Sequence, residues 1–144
     1  MTGVELANLI VGSCSTLLSA TAIFLYIILW YKDKQHSDYD TFDSLYLEIL
    51  KTGIEYPKLR NPDYIQDYKT MQSEDRIRYE SYAFIVWNFC ETIFDKSDES
   101  LLKTWIGVLE TENHLHRSWF EAPENGHIFK DEFKAFIHEK FPIE

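Results

Sequence analysis

Two regimes of hydrophobic pattern divide the chain. Residues 6–30 run for 25 positions without an Asp, Glu, Lys or Arg, whereas from Thr41 onward apolar residues recur at helical spacing among charges. At 1.5 Å of rise per residue, a 25-residue helix reaches roughly 37 Å, enough to cross a hydrocarbon core of about 30 Å with some tilt. The run predicts one retained membrane span. Tyr26, Trp30 and Tyr31 stand at its far end as interfacial rings, followed by Lys32 and Lys34, whose stems can snorkel to headgroups. A cleaved signal peptide fits poorly. It would start basic and end in a small-residue cleavage site, but Glu5 precedes this run and lysines follow it.

In the remainder the spacing predicts helices only, with no strand and no internal repeat. Phe42, Leu45, Tyr46, Ile49 and Leu50 follow an i, i+3, i+4, i+7, i+8 stripe, with Asp40 placed to cap it and Gly53 to end it. Residues 56–62 (YPKLRNP) read as a rigid turn, in which Asn61 and Pro62 open a short helix through Tyr64, Ile65 and Tyr68. Ser73 is placed to cap a long helix to about Phe94, with Glu74 and Asp75 in its first turn. That helix is apolar on nearly every side from Tyr82 to Cys90, interrupted only by Asn88, as suits a central helix covered by others. The next starts near Ser97 or Asp98 and sets Leu102, Trp105, Leu109 and Phe120 on one stripe. Pro123, Asn125 and Gly126 break it, and a last helix shows Phe129, Phe133, Phe136 and Ile137 on one face. The expected fold is all-α: a transmembrane helix with its flanks over 1–34, then a compact bundle of four to five helices over 35–144. No Gly- or Pro-rich linker separates the two, so rotation or association of the bundle would be felt by the span.

Charge sets the topology and narrows the partners. No Lys or Arg precedes the span while Lys32 and Lys34 follow it, so the positive-inside rule places the N-terminus outside and the bundle in the cytoplasm of an inner-membrane protein. Residues 35–144 hold 22 of the 24 acidic groups but 12 of the 14 Lys and Arg, a net charge of −10. That balance opposes docking on nucleic acid, whose phosphates demand a basic surface, and opposes lying flat on anionic lipid. The frequent aromatics at helical spacing mark a packed core and not a disordered tail. Cys14 in the span and Cys90 in the bundle are not placed to pair, as suits a reducing compartment.

Two constellations invite a functional reading. In the span, Gly12, Thr16 and Ala20 align at four-residue steps, with Ala7, Val11, Ser15 and Ser19 on an adjoining face. Small residues so spaced let transmembrane helices approach closely, and hydroxyls can bond across the contact, though they also bond their own i−4 carbonyls. The face of Gly12, Ser15, Thr16, Ser19 and Ala20 is thus expected to drive self-association, and Asn8, Ser15 and Ser19 would line any pore the clustered spans enclose. In the bundle, Asn88, Glu91 and Asp95 share a face of the central helix. Glu112 and His116 lie on the Trp105 stripe of the next, with Glu110 and His114 beside them. The bland reading is a buried polar network of Asn88, Glu91, His114, His116 and Arg117, in which Glu91 pairs with His114, His116 or Arg117 and fixes helix register. The sharper one is a metal or hydrolytic site of Glu91, Glu112, His114 and His116. Helical di-metal sites use two Glu-x-x-His steps, and none occurs here. No phosphate-cradling glycine loop, no Gly-x-Ser-x-Gly elbow and no Cys–His pair is present either, so no enzyme, metal or cofactor is expected.

The runs YAFIVWNFCETIFD (82–95), Thr104-Trp105, ENHLHRSWF (112–120) and Pro123-Glu124-Asn125 resemble a group of uncharacterised bacterial single-span membrane proteins with a cytosolic helical domain. More loosely, the layout is similar to the small membrane accessory proteins encoded beside type VI CRISPR effectors, which assemble into ring-shaped membrane pores and support antiviral defence. The HEPN pattern suggested for those accessories, an Arg followed four to six residues later by His, is not met by Arg76, Arg78 or Arg117. The resemblance implies a membrane homo-oligomer acting as a pore or defence effector. The alternative is a monomeric anchor whose acidic bundle recruits a cytosolic protein.

Overall fold

The computed structural model describes the backbone of residues 3–142 and the side chains of residues 19, 21–34 and 37–142. Among the described residues the chain is helical throughout and contains no strand. The helices are α1 (Gly3–Glu55), α2 (Pro62–Ile65), α3 (Ser73–Lys96), α4 (Glu99–Phe120) and α5 (Asp131–Lys140), with single 3-10 turns at Pro57–Arg60, Tyr68–Thr70 and Pro123–Asn125. The chain divides into two compact units, Met1–Ser37 and Asp38–Glu144.

Where helices begin and end follows from local chemistry. No break occurs at Asp40, contrary to the cap expected there: with no Gly or Pro between Trp30 and Thr41, nothing interrupts the i→i−4 ladder. Gly53 does not end α1 either. The helix stops at Glu55 because Tyr56 precedes Pro57 and is pushed out of helical space, at φ −123° and ψ 75°. Asn61 caps α2 as expected, its side chain accepting from the Asp63 amide at 3.1 Å. Gln72, not Ser73, is the residue before α3, and it caps nothing with its side chain. Asp98 caps α4 by accepting from the Leu101 amide at 2.8 Å, a bond of a kind worth about 1 kcal/mol.

In the Asp38–Glu144 unit, α3 and α4 pack most extensively on each other. The Trp87 ring, wholly enclosed, stacks on Phe120 at 4.0 Å between centroids and meets Phe133 of α5 edge-on. A second aromatic cluster joins Phe42 and Tyr46 of α1 to Phe89 of α3 and Trp105 of α4. Covering is less complete than the sequence implies: the outer face of α3 leaves Ile77, Phe84 and Ile85 exposed.

In the Met1–Ser37 unit, Ile23 through Tyr31 are all exposed, around the full circumference of α1. Among the described residues no helix is long and apolar enough to cross a membrane. Of the expected 6–30 span, the side chains of residues 6–18 and of Ala20 lie outside the described set. The expected self-association face of Gly12, Ser15, Thr16 and Ala20 therefore lies outside it too, while Ser19 is exposed.

Candidate functional site

Among the described residues of the Asp38–Glu144 unit, Glu112 and His116 are charged or polar side chains with no solvent exposure. One helical turn apart on α4, they project into the core beside Trp105 and Leu109. A buried carboxylate is costly unless paired and hydrogen-bonded, and Glu112 is both. Arg60, from the 3-10 turn after α1, grips it with two parallel bonds: Nη2 to Oε1 at 2.7 Å and Nη1 to Oε2 at 3.0 Å. Tyr46 of α1 donates its hydroxyl to Oε1 at 2.9 Å. Arg60 Nη1 also donates to the Tyr82 hydroxyl at 3.1 Å, and that hydroxyl donates in turn to the Ile49 carbonyl at 3.2 Å. One guanidinium thus ties together α1, α3 and α4.

Arg60 reaches this position by crossing α1 at Gly53, which is buried. A Cβ built on Gly53 would stand 2.4 Å from Arg60 Cδ and 3.2 Å from the Tyr82 hydroxyl, so only glycine leaves the passage open.

His116 faces the same cluster from one side. Its Nε2 stands 3.6 Å from Glu112 Oε2, too far for a hydrogen bond, and its Nδ1 lies 3.3 Å from the Tyr79 hydroxyl. Burial, and secondly the Arg60 charge, push its pKa down to about 3, so the ring is neutral at pH 7. The tautomer with hydrogen on Nε2 points that N–H at the carboxylate and lets Nδ1 accept from Tyr79; the other tautomer would set a lone pair against Glu112. Burial raises the pKa of Tyr79, and burial followed by the nearby Glu112 charge raises that of Tyr46, so both stay phenols. Both carboxylate oxygens of Glu112 are paired, Arg60 and Tyr46 reach them from the partly exposed side, and His116 Nε2 is left buried without a hydrogen-bond partner. The cluster is built to hold helices together.

The structure brings together only part of the polar network read from the sequence. His116 belongs to it. Asn88 is exposed, and so is His114. Glu91 pairs with none of His114, His116 and Arg117. Its Oε1 instead accepts the Lys130 amide at 2.9 Å just before α5, while Asp95 binds the Lys130 ammonium. Arg117 forms an ion pair with Glu121 Oε1 at 2.6 Å, and its Nη1 donates to Asn113 Oδ1 at 2.8 Å and to the Phe141 carbonyl. Glu91, Glu112, His114 and His116 therefore do not converge, and among the described residues no cluster of three or more His, Cys, Asp or Glu is arranged to hold a metal. Arg60, Tyr46, Tyr79 and Tyr82 were missed by the sequence reading. The signal that could have found them is Glu112 itself: an acid on the apolar Trp105 stripe demands a buried cation.

Among the hollows that open on the surface, a wide one of about 490 Å³ lies at Glu80, Phe84, Ile85, Trp119 and Glu124, and two others lie beside α1. One of about 290 Å³ lies at the Tyr56–Leu59 turn, between Tyr64, Asp75 and Arg78. Its cations are already engaged: Arg78 lies over the Tyr56 ring and pairs with Glu74, and Lys58 lies over Tyr64. The other, about 230 Å³, is a groove between α1 and α3 lined by Leu45, Ile49, Tyr82, Ile85 and Phe89. Comparison with known proteins gives no match: no family model fits the chain, and neither a curated protein nor a solved structure is found to be similar.

Proposed function

We propose that this is a single-span protein of the inner membrane that homo-oligomerises through its N-terminal span and its helical bundle, with the bundle in the cytoplasm. The observation that carries the reading is the run Ile23–Tyr31, nine consecutive apolar residues exposed on every side of α1. A helix apolar all round needs a low-dielectric environment on all sides. Continuing back through the uncharged residues 6–22, the segment has the length a bilayer requires. A span bearing small and hydroxyl residues at four-residue spacing is suited to contact its own copies. A ring of such spans that permeabilises the membrane during antiviral defence is the form the loose resemblance to the CRISPR accessories favours.

The test is membrane fractionation with alkaline carbonate extraction, followed by the mass of the detergent-solubilised protein from light scattering corrected for the micelle. Carbonate-resistant protein with a discrete high-order mass supports the reading. Release into the soluble fraction overturns the span, and a monomer overturns the assembly.

A second reading has its own support. Eight of the twelve Lys and Arg in residues 35–144 are paired with carboxylates of the chain itself, which leaves the net −10 as a surplus of acid on the bundle surface. A monomeric anchor of this charge would recruit a cytosolic protein with a basic surface, and its binding would weaken with salt.

A further inference from the structure

We propose that the outward face of α3 between Ile77 and Thr92, with the groove it forms against α1, is the surface on which one bundle docks on a second copy. The inference rests on the homo-oligomer reading and names its contact within the bundle.

Charge points to this face. A bundle carrying −10 repels its own copy, so a contact between copies forms where charge is absent. Ile77, Ser81, Phe84, Ile85, Asn88 and Thr92 follow the i, i+4, i+7, i+8 rule along α3 for roughly 22 Å without one ionisable group. The charges bordering the face and its groove are paired within the chain: Arg78 with Glu74 at one end, Asp95 with Lys130 at the other, Glu80 with Arg76 beside Ser81 and Phe84, and Glu48, which lines the groove, with Lys51. A basic partner attracted to the acid surplus would find the acids beside this face already engaged by the chain's own cations.

Shape points to a second copy and not to an unrelated apolar surface. Phe84 and Ile85, 44% and 53% exposed, form a ridge directly beside the groove of about 230 Å³. The groove's threonine hydroxyls are already engaged by their own helices, Thr52 donating to the Glu48 carbonyl and Thr92 to the Asn88 carbonyl. A ridge and a hollow side by side on one face are self-complementary about a two-fold axis: each copy's ridge enters the other's groove. Tethering copies to one bilayer raises their effective concentration and favours such a contact.

The experiment compares full-length wild type, Ile85→Lys and Glu110→Lys in mild detergent, by micelle-corrected light scattering over a dilution series. Glu110 is exposed on α4 and serves as the charge control. The expected result is a discrete assembly for wild type and Glu110→Lys, and dissociation of Ile85→Lys at protein concentrations about tenfold higher or more. An Ile85→Lys assembly identical to wild type overturns this surface and leaves the homo-oligomer reading standing. A monomeric wild type overturns both. Independently of how Ile85→Lys folds, Asn88→Cys in a Cys14→Ser background should form dimers with a short bismaleimide, since Cys90 is buried; absence of that crosslink in an assembled sample overturns the surface.

Discussion

The Arg60 guanidinium clasps the Glu112 carboxylate with two bonds, 2.7 and 3.0 Å, across 52 residues of sequence. Removing one partner leaves the other charged and unpaired inside the core, which typically costs roughly 3–5 kcal/mol. Arg60→Met and Glu112→Leu should each destabilise the bundle on that scale. The double variant Arg60→Met with Glu112→Leu should lose less than the sum of the two, because no orphaned charge remains. Urea unfolding of the four proteins, followed by Trp fluorescence, reads the coupling directly; strictly additive losses would show that the pair acts as two independent groups.

Gly53 offers a sharper test of the same geometry. In an exposed helix, Gly→Ala stabilises by about 1 kcal/mol through propensity. Here the new methyl meets Arg60 Cδ at 2.4 Å, in the middle of a side chain whose end is pinned to Glu112. Gly53→Ala should therefore destabilise, by about 1–3 kcal/mol. In an Arg60→Ala background the main obstacle is gone. The Tyr82 hydroxyl at 3.2 Å, released from its bond to Arg60, needs to give by only a few tenths of an ångström, so the same substitution should become neutral or stabilising. That reversal of sign in the measured unfolding free energies is the expected outcome.

The physical reason this site was only half legible lies in which signals periodicity carries. The stripe on α4 is a local, 3.6-residue pattern, so Glu112 and His116 were correctly set together on the apolar face of one helix. Arg60 sits in the irregular YPKLRNP turn, where no period relates residue 60 to residue 112, and its approach depends on a missing side chain at Gly53. Gly53 therefore read as a helix end when it is a helix crossing. Asn88 and Glu91 were misplaced for a different reason. An all-round apolar stretch such as 82–90 of α3 predicts cover on every side, whereas Phe84 and Ile85 face outward and carry Asn88 with them. Helix capping was legible where a side chain does the capping, at Asn61 and Asp98, and failed at Ser73, where none does.

The span makes a separate prediction from sequence. Gly12 and Ser15 belong to adjoining small-residue faces at four-residue spacing. Gly12→Leu with Ser15→Leu adds bulk where close approach is needed and removes a hydroxyl, and interactions of this kind in membranes are worth roughly 1–2 kcal/mol. Assembly in mild detergent should weaken by about tenfold, with carbonate resistance retained because the segment becomes more apolar. An unchanged oligomer mass would remove the span from the assembly and leave the α3 face as its sole candidate contact.

His116 sets the acid response of the bundle. Its pKa is about 3 in the folded protein, through burial and the Arg60 charge, against about 6.5 for an exposed imidazole in the unfolded chain. Between these values the unfolded state binds a proton that the folded state refuses, so stability is complete above pH 6.5 and falls as pH drops toward 3. The slope approaches 1.4 kcal/mol per pH unit, or about 2 kcal/mol between pH 6.5 and 5. The groups facing the ring, Arg60 of the 3-10 turn, Glu112 of α4, and Tyr79 and Tyr82 of α3, come from three elements of the unit, so protonation would place a second cation beside Arg60 at a buried position. His116→Gln keeps an amide N–H to aim at Glu112 and cannot titrate. Its absolute stability will differ from wild type, but its loss between pH 6.5 and 5 should be smaller by most of that 2 kcal/mol. The remaining histidines and carboxylates are common to both proteins and cancel in the difference. Urea midpoints and m-values at the two pH values give the comparison, and parallel pH profiles would mean that His116 is protonated in the fold.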